Sequence, residues 1–384
     1  MTLDLSWILL GLPAAFVLGW LASRLDLRQL RIENRRNPKA YFRGLNHLLN
    51  EQQDQAIDAF IEAVQNDPDT SELHFALGNL FRRRGEYERA VRVHEHLLSR
   101  ADLSEADRQR AQHALALDYL KAGLLDRADE ALLKLEGTPY QTQARLARLA
   151  NAERARDWAQ AAQIARQLDQ TEAGSFSARL AHYLCEQAAE AMRRADLAQA
   201  HELLQQAIAT SPESPRPRLE LARLQAQQGQ PEAACTTLEA ALAAAPAATP
   251  LIAQQLAPAA LACGRAAAVL ARLQEAYAQQ PSLDVLDAIV TLDAALQSGA
   301  DSRGWYVRHL EREPSLVAAA RWIAGEKLEH EQFHPLVQRA LEHAVRPLLR
   351  YRCAACGFEA KQHFWQCPGC QAWDSYPARR VEEL

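Results

Sequence analysis

Four cysteines near the C-terminus, Cys353, Cys356, Cys367 and Cys370, carry the clearest chemistry in the chain. They form two Cys-x-x-Cys knuckles, with ten residues between Cys356 and Cys367. Two such knuckles can wrap four thiolates around one metal ion in a tetrahedron. Zinc is favoured, and iron is accepted by the same donors. Four protein ligands close the coordination shell, so the site is structural and not catalytic. Gly357 and Pro368-Gly369 supply the tight turns that aim backbone amides at sulfur. No βαβ pattern surrounds the cysteines, which speaks against a dithiol redox pair. The segment is too short to fold on an apolar core alone, so metal binding becomes part of its folding free energy.

Other candidates for chemistry are weaker. His330-Glu331-Gln332-Phe333-His334 matches the H-E-x-x-H pattern of zinc proteases, which needs both histidines one turn apart on a continuous helix. Pro335 disfavours helical dihedrals at His334, and the stretch reads as a turn with Pro335 opening the next helix. Val337 stands where the extended form of the motif requires glycine. No Gly-rich phosphate loop and no G-x-S-x-G elbow occur, so no residue is assigned as catalytic. His94 and His96 face different sides of a helix, and His182 and His201 read as packing or surface residues. Cys185, Cys235 and Cys263 read as small buried residues in a reducing compartment.

The elements that must hold the knuckles are helical. Alanine, leucine, glutamine and arginine dominate, and the sequence repeats itself about every 34 residues. One unit starts at Asn37 (Gly44, Ala56, Phe60, Ala63, Pro68) and the next at Ser71 (Leu77, Gly78, Phe81, Gly85, Tyr87, Ala90). Others start at Gln109, Ala181 and Pro215, with a degenerate unit near Thr142 and a further one from Pro250. This is the tetratricopeptide pattern: small residues let paired helices approach, large ones fill the gaps, and proline ends the second helix. Eight or nine helix pairs are expected, blurring beyond Leu283.

Such arrays bind peptides or protein surfaces along the face made by their first helices. In this frame Tyr41, Phe75, Asn79, Arg82, Arg83, His113 and Lys121 are the expected partner-binding residues, together with Leu45, Leu48 and Leu117. Their mix of aromatic, apolar and basic groups suits an amphipathic or acidic segment. Arg82 and Arg83 read equally well as a solvated helix end.

Leu5–Ala22 is an uncharged run of 18 residues with Trp7 and Trp20 near its ends. Its helix would span about 27 Å, close to a hydrocarbon core. Asp4 precedes it, whereas Arg24, Arg28, Arg31, Arg35, Arg36 and Lys39 follow, the reverse of a cleaved signal peptide. The expected organisation is a transmembrane anchor at 1–23, a basic linker at 24–36, the repeat array at 37–346 and the metal-binding domain at 347–384. The positive flank places the bulk of the chain in the cytoplasm. Net charge is −5, so no global basic field points to nucleic acid. Around the knuckles, Tyr351, Phe358, Phe364, Trp365, Trp373 and Tyr376 could pack the ribbon, dock it on the last helices or stack nucleobases. Arg350, Arg352, Lys361, Arg379 and Arg380 keep that last alternative open.

Tyr351 to Phe358 and Trp365 to Cys370 with Trp373, set after an anchor and repeats, resemble the lipopolysaccharide assembly protein B family. The resemblance covers essentially the whole chain. Gln371 departs from the wider rubredoxin knuckle, where glycine is common. The resemblance implies an all-α tetratricopeptide-repeat solenoid with an N-terminal transmembrane helix and a small rubredoxin-like zinc ribbon. It further implies a non-enzymatic inner-membrane adaptor that restrains lipopolysaccharide synthesis. The adaptor presents the deacetylase of the lipid A pathway to a membrane-anchored ATP-dependent protease, and answers to an inner-membrane protein that senses lipopolysaccharide. The four cysteines carry over as metal ligands. No nucleic acid is expected, and a single-pass anchor also allows a homodimer. The rival readings are a general scaffold with a nucleic-acid-binding ribbon and an H-E-x-x-H metalloprotease.

Overall fold

The computed structural model describes residues 16–17, 19–20, 39–66, 70–169, 175–296, 303–326 and 331–384, without the side chains of 39–41, 53, 66 and 331. The expected anchor lies outside these residues except for Phe16, Val17, Gly19 and Trp20, which are helical, and residues 24–36 lie outside them altogether. Among the described residues no single helix is long and apolar enough to cross a membrane. The chain forms two compact units, Met1–Ala155 and Arg156–Leu384.

The first unit contains α1 (Lys39–Leu49), α2 (Gln53–Asn66), α3 (Ser71–Arg84), α4 (Tyr87–Ser99), α5 (Glu105–Ala122), α6 (Leu125–Leu133) and α7 (Gln141–Ala155). Consecutive helices pack in pairs, and the repeat positions explain how closely. A Cβ added at Gly44 would sit 3.0 Å from the Phe60 ring, and one at Gly78 would sit 2.5 Å from the His94 ring. Ala56, Ala63, Ala90 and Ala128 are fully buried at the small positions. Gly85 ends α3 in the left-handed region at φ 85°, its N–H bonding Arg82 O while Glu86 N–H bonds Phe81 O. That 6→1 and 5→2 pairing is the Schellman cap, where a side chain would be strained.

His94 takes the large position of its repeat and joins the next one. It is fully buried, and its Nδ1 lies 2.5 Å from Asp118 Oδ2. Asp118, also fully buried, accepts from Arg82 Nη1 at 2.8 Å. A buried carboxylate is stable only when its charge is matched, and Asp118 has two partners.

The second unit contains α8 (Trp158–Asp169), α9 (Ser177–Arg193), α10 (Leu197–Thr210), α11 (Pro215–Gln227), α12 (Pro231–Ala244), α13 (Thr249–Ala262), α14 (Ala266–Gln279), α15 (Leu283–Leu296), α16 (Gly304–Leu310), α17 (Leu316–Ala324) and α18 (His334–Val345). Two short strands follow, β1 (Tyr351–Arg352) and β2 (Glu359–Ala360), paired antiparallel with Tyr351 opposite Ala360. Pro215 and Pro231 open their helices, where the missing N–H costs nothing. Ala200, Leu204, Ala207, Ala234, Leu238 and Ala241 are buried at their repeat positions. Seven of these helices lie in the first unit and eleven in the second, and α16 and α17, where the repeat pattern fades, are short. Among the described residues the fold is all-α apart from this strand pair and a single bridge between Gln366 and Trp373.

Gly78 faces a ring that cannot swing away, because His94 is enclosed and tied to Asp118. Gly78→Ala is therefore expected to destabilise the first unit by about 1–3 kcal/mol, read from chemical denaturation followed by circular dichroism.

Candidate metal centre

The two knuckles bring their sulfurs together. Cys353 Sγ lies 3.8 Å from Cys370 Sγ, Cys356 Sγ lies 3.6 Å from Cys367 Sγ, and all four lie within 4.8 Å of one another. Four sulfurs about 2.3 Å from one ion would stand roughly 3.8 Å apart, so this set fits a single tetrahedral metal. Each knuckle is a tight turn: Gly357 N–H bonds Cys353 O at 2.9 Å, and Gln371 N–H bonds Cys367 O at 2.8 Å. Gly357 and Gln371 hold matching left-handed conformations at φ 77° and φ 61°. The second knuckle, with glutamine where the first has glycine after its last cysteine, thus keeps the same geometry at a local backbone cost of about 1 kcal/mol.

The donors are electrostatically unfinished without a cation. Ser375, 3.3 Å away, and the knuckle amides pull the Cys353 thiol down to about 6. The Phe358 amide favours the Cys356 thiolate, yet desolvation and the three neighbouring thiols push Cys356 up to about 12. Thiolates this close repel, and a bound cation removes that conflict. Cys353, Cys356, Cys367 and Cys370 are thus positioned to bind one metal ion. Cys185 and Cys235, by contrast, are buried thiols away from the knuckles; burial drives both pKa values up, and the neighbouring Cys263 adds to the rise at Cys235.

The ribbon is built into the second unit. Tyr351, Cys353, Cys367 and Tyr376 share one apolar cluster with Leu251, Leu286 and Ile289. Asp284, near the start of α15, accepts both arms of Arg380 at 2.8 and 2.9 Å and the Tyr351 hydroxyl at 3.3 Å. Gln254 Nε2 on α13 donates to the same hydroxyl at 2.9 Å, and the Arg380 guanidinium lies 4.2 Å over the Tyr351 ring. Burial works against the Arg380 charge, and Asp284 more than offsets it.

Two glutamates after Arg380 cap helices. Glu382 accepts from Leu316 N at 2.7 Å, Val317 N at 3.2 Å and Ser315 Oγ at 2.8 Å, and Glu383 accepts from Leu283 N at 2.7 Å. Carboxylates at helix N-termini meet unpaired N–H groups and the positive end of the dipole.

At the other edge, Trp373 stacks on His182 of α9 with centroids 4.8 Å apart, and Asp374 accepts from His182 Nε2 at 2.8 Å. Arg216 of α11 points Nη1 at His182 Nδ1 from 3.3 Å. A guanidinium can only donate, which leaves the histidine hydrogen on Nε2, facing Asp374. Burial opposes the Arg216 charge, while Glu220 and Glu186 outweigh it and hold its pKa high. The ribbon's partners are the first helices of successive pairs, α9, α11, α13 and α15, then α17. It therefore sits on the repeat face that such arrays use for ligands, and not only on the last helices.

Comparison with known proteins matches this architecture. The rubredoxin metal binding domain model matches residues 351–376, and tetratricopeptide repeat models match 73–109 and 191–257. The chain is a tetratricopeptide-repeat protein with a rubredoxin-type metal-binding domain. Over its whole length it is similar to lipopolysaccharide assembly protein B of Escherichia coli (strain K12), 29% identical over 390 residues with both chains fully covered. The protein of the same name from Haemophilus influenzae is 26% identical over 406 residues, covering 97% of each chain. A crystal structure of a tetratricopeptide repeat protein from Parabacteroides merdae overlays 67% of this chain and 99% of that one, at 14% identity and a TM-score of 0.34. The family resemblance carried by the knuckles thus extends across all of the chain.

In the first unit the expected partner-binding residues divide. Arg83 and Lys121 are exposed, and Asn79 and His113 are half-buried. His113 stacks on Tyr140, and burial, then Arg82, lowers its pKa. Phe75 corrects the expectation: it is 1% exposed and packs with Leu97, Leu103 and Ala111 beneath the Arg110 guanidinium. Arg82 is engaged by Asp118, Asn79 Oδ1 and Ala114 O, so it braces the repeats. The Tyr41 side chain lies outside the described residues.

The H-E-x-x-H stretch is not one α-helical turn across its described part. Glu331–Phe333 is a 3-10 turn, and α18 begins at His334 with Pro335 in its first turn. His334 is therefore the first helical residue, where a following proline is tolerated, and not outside the helix as its neighbour suggested. Its Nε2 lies 3.3 Å from Ile323 O. His330 lies outside the described residues.

Removing the Asp284 carboxylate would leave Arg380 charged and only 15% exposed. Asp284→Ala is expected to cost on the order of 3 kcal/mol in the second unit and to expose the ribbon, read as a lower Tm and faster proteolysis after residue 346.

Proposed function

We propose that this protein is a non-enzymatic adaptor in lipopolysaccharide synthesis, as the name shared by its relatives suggests. In this reading Leu5–Ala22 anchors it in the inner membrane, residues 24–36 are a basic linker, and the repeats and ribbon work in the cytoplasm. An anchor confines the protein to two dimensions and raises its effective concentration toward membrane partners. The partners are those the family resemblance implies: the lipid A pathway deacetylase as client, a membrane ATP-dependent protease, and an inner-membrane lipopolysaccharide-sensing protein. Zinc is the proposed metal, with iron as the alternative. A homodimer through the anchor is compatible with this arrangement, and no nucleic acid is required.

The observation that carries the reading is the seat of the ribbon. A four-thiolate site offers no open coordination position for a substrate. Its flanking residues Tyr351 and Trp373 are spent on docking to the repeats. The metal thereby stabilises a surface and does not run a reaction. The 3-10 turn ahead of His334 favours the same conclusion for the H-E-x-x-H stretch. In the first unit Arg83 and Lys121 offer charge on the repeat face for an acidic client segment.

Crosslinking the full chain to the deacetylase in membranes tests this. Arg83→Glu with Lys121→Glu should cut capture about tenfold, the scale of two weakened charge contacts, with Tm unchanged. Glu331→Gln should leave client turnover intact. Undiminished capture by the first variant, or loss of turnover with the second, would overturn the proposal.

A further inference from the structure

We propose that the seam between the ribbon and the last helices binds a phosphate-bearing ligand. A cavity of about 800 Å³ opens there, lined by Arg321, Arg346, Leu349, Arg350, Lys361 and Arg380. Five of these six side chains are cationic. They converge from separate segments: Arg321 from α17, Arg346 and Arg350 from the connection after α18, Lys361 from just beyond β2, and Arg380 from the C-terminal tail. Lys361 and Arg380 also line an adjoining cavity of about 410 Å³, which adds Arg223 and one carboxylate, Glu220, itself held by Arg216 at 2.6 Å.

The acids beside this cluster already have partners. Asp284 holds Arg380, Asp287 holds Arg321, and Glu359 lies 3.6 Å from Arg350 and 2.8 Å from Arg352. Glu382 and Glu383 cap helices. Arg346 and Lys361 pair with no carboxylate among the described residues, and both are exposed. Two uncompensated positive charges beside three more cations match a group carrying about two negative charges, as a phosphomonoester does near neutral pH. Guanidinium forks bind the oxygens of such a group through paired, charge-assisted hydrogen bonds. The volume is that of a small-ligand site, which favours a compact phosphate over the extended carboxylate row of an acidic peptide.

The ligand would bridge Lys361 of the ribbon to Arg346 and Arg321 of the helical part, and so tighten the ribbon's seat. This site is independent of the client surface proposed for the first unit.

Calorimetry on the full, metal-loaded chain at low salt tests it. The probes are inorganic pyrophosphate, phosphatidylcholine vesicles with and without phosphatidic acid, and a glutamate-rich peptide. Saturable binding of pyrophosphate, weakened about tenfold or more by Arg346→Ala with Lys361→Ala, is the expected result. Binding confined to phosphatidic acid vesicles, and lost in the same variant, equally supports the site and assigns the phosphate to a lipid headgroup. Should the double variant lose Tm, Lys361→Gln alone, at an exposed ribbon position, gives the same comparison. No binding of either phosphate probe, equal binding by the variants, or binding of the glutamate peptide alone would overturn the proposal.

Discussion

The second unit depends on one buried carboxylate. Asp284 receives a two-armed guanidinium from the C-terminal tail and a hydroxyl from the first ribbon strand, and so fixes both ends of the ribbon to α15. An isolated carboxylate in that position would be costly, and so would an isolated Arg380. Each makes the other tolerable, and the two meet only when the ribbon is folded and seated. Glu382 and Glu383 extend the same logic, because they accept from the N-termini of α17 and α15.

Metal and docking are coupled through short stretches of chain. Tyr351 stands two residues before Cys353, and Trp373 and Asp374 stand three and four residues after Cys370. The ligands and the docking groups therefore share the same turns. A cation held by the four sulfurs would fix the turns that carry Tyr351 toward Asp284 and Trp373 onto His182. The ribbon has only a two-stranded sheet of its own, and much of its apolar surface is shared with the helices. Metal and repeats both contribute to folding it, as expected for so small a module.

What could be read in the sequence was local. The knuckles and the repeat positions are patterns of spacing, so they predict the metal site and the buried alanines. The docking contacts join residues far apart in the chain, such as Asp284 with Arg380 and His182 with Asp374, and no spacing rule reaches them. Aromatic density around the cysteines is the one available hint; it fits packing within the ribbon, docking on the last helices or base stacking alike, and does not show a seat that runs from α9 to α17. For a related reason the spacing does not show that Phe75 is buried or that Arg82 is engaged by the next repeat. A repeat template marks the face on which a residue starts, but not the Asp118 carboxylate or the Arg110 guanidinium that claims it from the next repeat.

Hydrogen–deuterium exchange of the full chain with the metal bound and stripped tests the coupling most directly. Metal removal should speed exchange in the ribbon and also at the N-termini of α15 and α17 and along α9, where its side chains and tail make their contacts. Faster exchange confined to residues 351–376, with α9, α15 and α17 as protected as before, would contradict the account.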